Sequence, residues 1–327
     1  MMTHRRTFLI TAVGTLATGR PGMAQQPSRS YRLGWLASGS QRTEPYNIAF
    51  VQRLSELGFT EGRNLVIEHR TAQGRHERLP ELAAELARLN CDVIFAPGAE
   101  AALRAVEQAS RDTPIVIVTA DYDPVTTGHV KSLARPGGRI TGVSMLQTEL
   151  PAKRLQVLKE LLPKVRRVGV LADVANGGQL QVTRGAAAQL GLELVVHEFK
   201  AAPYDFAAAF ATFARGRAEA MVSLGSSFFV PGRQLIPELA LSHKLPSVFH
   251  NSLWAESGGL MSYGPDFSAS YGRAGAQVAQ LLSGARPGDM PIEQPNIIEM
   301  VINLKTAKAL GVAIPQALRL RSDRIIE

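Results

Sequence analysis

Asp121 and Asp123, separated only by Tyr122, form the one close acidic pair near an expected cleft. Two carboxylates at that spacing could act as a general acid and base. The plainer reading splits them. Asp123 precedes Pro124 and suits a helix N-cap, with Pro124 in the first turn, which leaves Asp121 free to reach a ligand ammonium group. Other chemistry lacks sequence support. No G-x-G-x-x-G, G-x-x-x-x-G-K-[ST] or G-x-S-x-G occurs. No two histidines stand closer than the seven positions between His69 and His76, so spacing alone provides no metal site. The only cysteine, Cys91, heads the apolar run Val93-Ile94-Phe95-Ala96, and a buried, inert thiol is expected there. Neither a catalytic constellation nor a cofactor or metal is expected.

Binding groups must then be presented by the fold. Short β-branched runs at Tyr31–Leu36, Leu65–His69, Asp92–Ala96 and Ile115–Val118 alternate with amphipathic segments, one carrying Leu79, Leu82, Leu86 and Leu89 on a single face. Such alternation calls for parallel strands joined by helical crossovers. After the Pro136-Gly137-Gly138 turn the pattern restarts, with strands at Arg167–Leu171, Leu192–His197, Ala220–Leu224 and Ser247–Phe249. Helices are expected between them at 149–162, 179–190, 205–215 and 232–243, and Phe206, Phe210 and Phe213 at helical spacing read as core. A third block, Gly258 to Pro265, returns from the second half, followed by a helix at 268–283, a strand at 297–303 and a short helix at 306–310. The expected class is α/β: two Rossmann-like lobes with parallel sheets, joined by more than one crossing into a clam-shell. The expected division is 30–143 with 264–295 for the first lobe and 144–263 with 296–327 for the second.

In open parallel sheets, ligands bind beyond the carboxyl ends of the strands, where helix N-termini offer free N–H groups. That rule selects Ser38 and Ser40 after the first strand, Gly98 and Ala99 after the third, and Asp121 with Asp123 after the fourth. On the second lobe it selects the Asp173–Asn176 segment, Gly225-Ser226-Ser227 and His250-Asn251. Asn176, Ser226 and Asn251 are the ligand candidates there, and Ser226 and Asn251 could equally cap the helices that follow. Tyr122, Phe228 and Trp254 flank these loops as an aromatic wall or as plain packing.

The chain ends bear on location. Arg5-Arg6 precedes the apolar stretch from Phe8 to Ala17, and Gly22-Met23-Ala24 precedes polar Gln25-Gln26. Residues 1–24 read as an export signal of the twin-arginine kind, too short to span a bilayer. A general secretory signal is the alternative. A soluble protein of the periplasm is expected, without stable membrane insertion. Of the net charge of +8, Arg5, Arg6 and Arg20 would leave with the signal, so 33 basic residues would face 28 acidic ones. The basic residues are scattered and never run to four, which argues against a nucleic-acid partner.

Several stretches carry a family resemblance: Leu57-Gly58-Phe59-Thr60-Glu61-Gly62-Arg63-Asn64-Leu65, Ser132-Leu133-Ala134-Arg135-Pro136-Gly137-Gly138, Gly258-Gly259-Leu260-Met261-Ser262-Tyr263-Gly264-Pro265 and Val301-Ile302-Asn303-Leu304-Lys305. The chain resembles the periplasmic substrate-binding proteins of ABC importers, in the group that includes tryptophan- and tyrosine-binding members. The resemblance implies the type I periplasmic-binding-protein fold, a hinge of three crossing segments, and a small polar or aromatic, amino-acid-like solute enclosed as the lobes close. It also implies an ABC permease as partner and no catalysis. Two departures matter. A Gly-Thr-Pro-Ala turn common in the family stands here as Gly98-Ala99-Glu100-Ala101, and an Asn-Pro-x-Asn-Pro stands as Asp173-Val174-Ala175-Asn176-Gly177. The first places a carboxylate where the family would receive an amino-acid carboxylate. A receptor feeding a membrane sensor, and a periplasmic enzyme using Asp121 and Asp123, are the alternative functions.

Overall fold

The computed structural model describes residues 29–327. The export signal read over 1–24 lies outside them. The first lobe begins with β1 (Tyr31–Ala37), α1 (Pro45–Glu56), β2 (Leu65–Thr71), α2 (Leu79–Arg88), β3 (Val93–Gly98), α3 (Glu100–Ala109), β4 (Ile115–Thr119) and β5 (Ile140–Val143). The chain then crosses into a second lobe of α4 (Leu150–Leu161), β6 (Arg167–Asp173), α5 (Gly177–Leu190), β7 (Glu193–Phe199), α6 (Phe206–Arg215), β8 (Ala220–Ser223), α7 (Leu235–Ser242), β9 (Ser247–Phe249), α8 (Ser252–Glu256) and β10 (Met261–Pro265). It returns to the first lobe for α9 (Phe267–Leu282) and β11 (Ile292–Glu293). It ends in the second with β12 (Ile298–Asn303), α10 (Leu304–Leu310), α11 (Gln316–Arg321) and β13 (Arg324–Ile326).

One sheet runs β11-β5-β4-β3-β1-β2 and the other β13-β12-β10-β9-β8-β6-β7. Both are buried on two faces, which explains the unbroken apolar strands. Along β1, Leu33, Trp35 and Ala37 join the core that α1 and α9 cover, while Leu36 joins the core under α2 and α3. In β6, Val168, Val170 and Ala172 face one core and Leu171 faces the other, beside Phe206, Phe210 and Phe213. The phenylalanine stripe is therefore packing. Cys91 is buried as well, and burial pushes its thiol up to about 11, so it is held as the unreactive thiol form.

Three segments link the lobes: β5 to α4, β10 to α9, and β11 to β12. The sheets are parallel as expected except at the third, where β10 and β12 pair antiparallel, Met261 opposite Ile302 and Pro265 opposite Ile298. The geometry follows from the hinge. The chain leaves β10 at its carboxyl end and re-enters the same sheet at that end, so the returning strand must run backwards.

A candidate solute site between the lobes

The carboxyl ends of both sheets face one another across a cavity lined by both lobes. The first lobe supplies Ser38 and Ser40 after β1, Glu44 and Tyr46 at the start of α1, Pro97 and Gly98 ending β3, and Ala120 after β4. From the second lobe come Gly225, Ser226, Ser227 and Arg233 after β8, and His250, Asn251 and Trp254 after β9. Gln147, on the hinge segment between β5 and α4, closes the back, and Phe267 and Tyr271 of α9 complete the wall.

The lobes touch. A Cβ on Gly39 would lie 2.2 Å from the carbonyl oxygen of Ser227, and one on Gly98, whose φ is +104°, would lie 3.0 Å from Ser227 Oγ. Glycine is needed at both positions for this approach. His76 stacks on Phe228 with ring centres 3.4 Å apart and pairs through Nε2 with the Tyr204 hydroxyl at 3.0 Å. Arg233 Nη2 stands 3.3 Å from Glu44 Oε2, and Gln179 Nε2 donates across the gap to Ala120 O at 3.4 Å. The conformation is closed.

Ser38, Ser40, Gly98, Ser226 and Asn251 line the cavity, while Ala99, Asp121, Asp123 and Asn176 stand behind it. Ser38 Oγ accepts a bond from Ala99 N at 3.3 Å, and Asp121 Oδ1 accepts one from Glu100 N at 3.0 Å, so both brace the start of α3. Asp123 Oδ1 accepts from Val125 N and Thr126 N, but no helix follows, so the expected helix N-cap is corrected to the cap of a turn over residues 124–128. Asn176 is fully buried: its Oδ1 accepts from Asp173 N and its Nδ2 donates to Gly225 O, each at 2.9 Å. Ser226 Oγ donates to Asp173 Oδ2 and accepts from Phe228 N, and Asn251 Oδ1 accepts from Leu253 N to cap α8. Among the aromatic residues, Trp254 lines the cavity, Phe228 serves the contact between lobes, and Tyr122 is core.

Burial raises the Asp121 carboxyl well above its usual range, and the charge of Asp173 from the other lobe raises it further. Burial also raises the Asp173 carboxyl, against the hydrogen bond from Ser226. At the back wall, burial and then the Arg154 charge hold His250 well below its usual value, so it is neutral. Glu44 is raised by burial and opposed by Arg233.

Glu44, Tyr46, Gln147, Arg233, Phe267 and Tyr271 escaped the sequence reading. Only the Glu44-Pro45 pair gave a signal, as a helix start just past β1. Among the described residues no three His, Cys, Asp or Glu side chains are grouped to hold a metal ion, and no helix is long and apolar enough to cross a membrane.

Two α/β lobes closed on a cavity lined by both, with a three-segment hinge behind it, define a solute receptor of the type I periplasmic-binding-protein fold. Residues 47–326 match the ABC transporter substrate binding protein family, and the chain belongs to it. A curated relative, the tyrosine-binding protein of Clostridioides difficile strain R20291, is 28% identical over 267 residues, covering 80% of this chain and 75% of that protein. Among solved structures, a conserved domain protein from Vibrio cholerae is 25% identical with a TM-score of 0.83, over 91% of this chain and 100% of that one. An ABC domain from Streptococcus pneumonia in complex with L-Trp is 22% identical with a TM-score of 0.79, over the same shares. The chain is thus a substrate-binding component of ABC transport, in a family of extracytoplasmic solute-binding proteins.

Proposed function

We propose that this protein works in the periplasm, captures a small aromatic or polar amino-acid-like solute between its lobes, and delivers it to the membrane subunits of an ABC permease. One observation carries the ligand part of the reading: the cavity is walled by both lobes, and three of its buried polar atoms, Gln147 Nε2, Ser227 Oγ and His250 Nδ1, have no partner. Such atoms are rare in folded proteins because each costs free energy when left unmatched, and a bound solute would satisfy them. Tyr46, Trp254, Phe267 and Tyr271 supply the flat apolar surface on which an aromatic body would rest. Ser38, Ser40, Gly98, Ser226 and Asn251 would contact the solute directly. Ala99, Asp121, Asp123 and Asn176 would hold the loops that carry those contacts. Closure would favour the liganded state and present the joined lobes to the permease.

A thermal-shift screen against L-tryptophan, L-tyrosine, other amino acids, aromatic acids and sugars tests this. A solute at a hundred times its dissociation constant should add roughly 2.7 kcal/mol of stability. Absence of a shift across the whole panel would contradict the reading.

A further inference from the structure

Arg154, in the second turn of α4, is 1% exposed, and its guanidinium makes no ion pair with any described residue. Its Nε donates to Tyr263 O at 2.9 Å and its Nη2 to Gln147 Oε1 at 2.7 Å, while Nη1 has no partner. Burial pulls this group down to about 9, which still leaves it cationic at neutral pH. A buried charge without a counter-charge is among the costliest groups a fold can retain.

The geometry points to what offsets it. A guanidinium only donates, so Arg154 fixes the orientation of the Gln147 amide. The oxygen must face Arg154, and the Nε2 hydrogens must face away from it. Gln147 lines the cavity, and Nε2 is buried and unpartnered. Neutral His250 lines the same wall with Nδ1 unpartnered, and that atom can carry a hydrogen. The Ser262 hydroxyl, on the antiparallel partner of β12, is another buried group without a bond. The acid in the cavity wall, Glu44, already faces Arg233 across the cleft.

We infer that the hinge wall is a carboxylate subsite, in which Gln147 Nε2 and His250 Nδ1 donate to an anionic group of the solute and the buried Arg154 supplies the compensating charge from behind. This rests on the solute-receptor reading and narrows it to organic carboxylates, the anion lying against the hinge and not at the Gly98-Ala99 turn. Arg154 acts through Gln147 and is a positioning residue. Because Gln147 is on a crossing segment, the anion would also hold the hinge in its closed setting.

Matched acids and amides test the subsite by calorimetry: L-tryptophan with L-tryptophanamide, indole-3-acetate with indole-3-acetamide, and phenylacetate with phenylacetamide. The acid of any binding pair should bind at least 10-fold more tightly than its amide. Gln147→Met should weaken acids by roughly 10- to 100-fold and leave amides within about 3-fold, as expected for loss of a hydrogen bond to a charged group. Arg154→Met should remove the preference for acids. Without solute its melting temperature should be equal to or above the wild-type value, whereas a purely structural arginine would leave the variant less stable. If acid and amide bind equally well, or if Gln147→Met weakens both alike, the subsite is wrong and the receptor reading survives. If no member of the panel binds, both fail.

Discussion

At the ends of β6 and β8 the polar side chains satisfy one another: Asp173, Asn176, Gln179 and Ser226 all find partners within the second lobe. The hinge wall is the opposite, since Gln147, Arg154 and His250 each keep a buried polar atom unmatched. Both regions border one cavity. A satisfied network fixes loop shape and asks nothing of a solute, whereas unmatched groups gain only when a solute arrives. Damage to the first region should therefore appear mainly in stability, and damage to the second mainly in affinity.

The most severe break in affinity should come from neither region but from the contact that shuts the cavity over both. Gly39→Ala places a Cβ against the Ser227 carbonyl only when the lobes close, so the open form should fold with an unchanged melting temperature. Solute affinity should fall roughly 100-fold or more, as when the competent state is depopulated by about 3 kcal/mol. Asn176→Ala attacks the satisfied network, leaving Asp173 N without its bond and Gly225 O with only the one from Gln179 Nε2. Chemical denaturation should show a loss of about 2–4 kcal/mol, with affinity nearly unchanged in the folded fraction.

Smaller effects sharpen the contrast. Asp121 and Asp173 come from opposite lobes, and in the closed form both carboxyls are raised above the usual 3.8, by burial first. Glu100 adds to the rise at Asp121, while His76 opposes it at Asp173. The closed form therefore holds protons more tightly than an open form with both acids in water. Closure is fully favoured below the usual carboxylate range and weakens as pH climbs through the raised values. Titrations should give tighter solute binding at pH 5 than at pH 8, with a flatter profile in Asp121→Asn. The smallest change is expected from Arg233→Gln. Its partly exposed pair with Glu44 is screened by solvent, so affinity should drop by less than about 5-fold.

The sheets and the loops at their carboxyl ends were legible because apolar runs and helical periodicity are local signals. Ser38, Gly98, Ser226 and Asn251 follow from the rule that ligands gather where parallel strands end. The same rule could not rank the residues of one loop. Ser38 and Asn251 reach the cavity, yet Asp121 turns to brace α3 and Asn176 turns to Gly225. Which way a short polar side chain turns depends on neighbours distant in sequence, such as Asp173 for Ser226. Apart from His250, which the same rule selects, the hinge wall was invisible for a related reason. Gln147, Arg154, His250 and Tyr271 share no spacing, and only the repeated crossing between lobes brings them to one place. The antiparallel β12 was likewise hidden, since strand direction follows from the point of re-entry and leaves no mark on composition.

Calorimetric titration of the wild type and Gly39→Ala with the panel of aromatic amino acids and acids tests capture by closure most directly. One solute should bind the wild type with one-to-one stoichiometry, and Gly39→Ala should lose that binding while keeping its melting temperature. Equal binding by both proteins, or no binding by the wild type, would contradict capture of the solute between closing lobes.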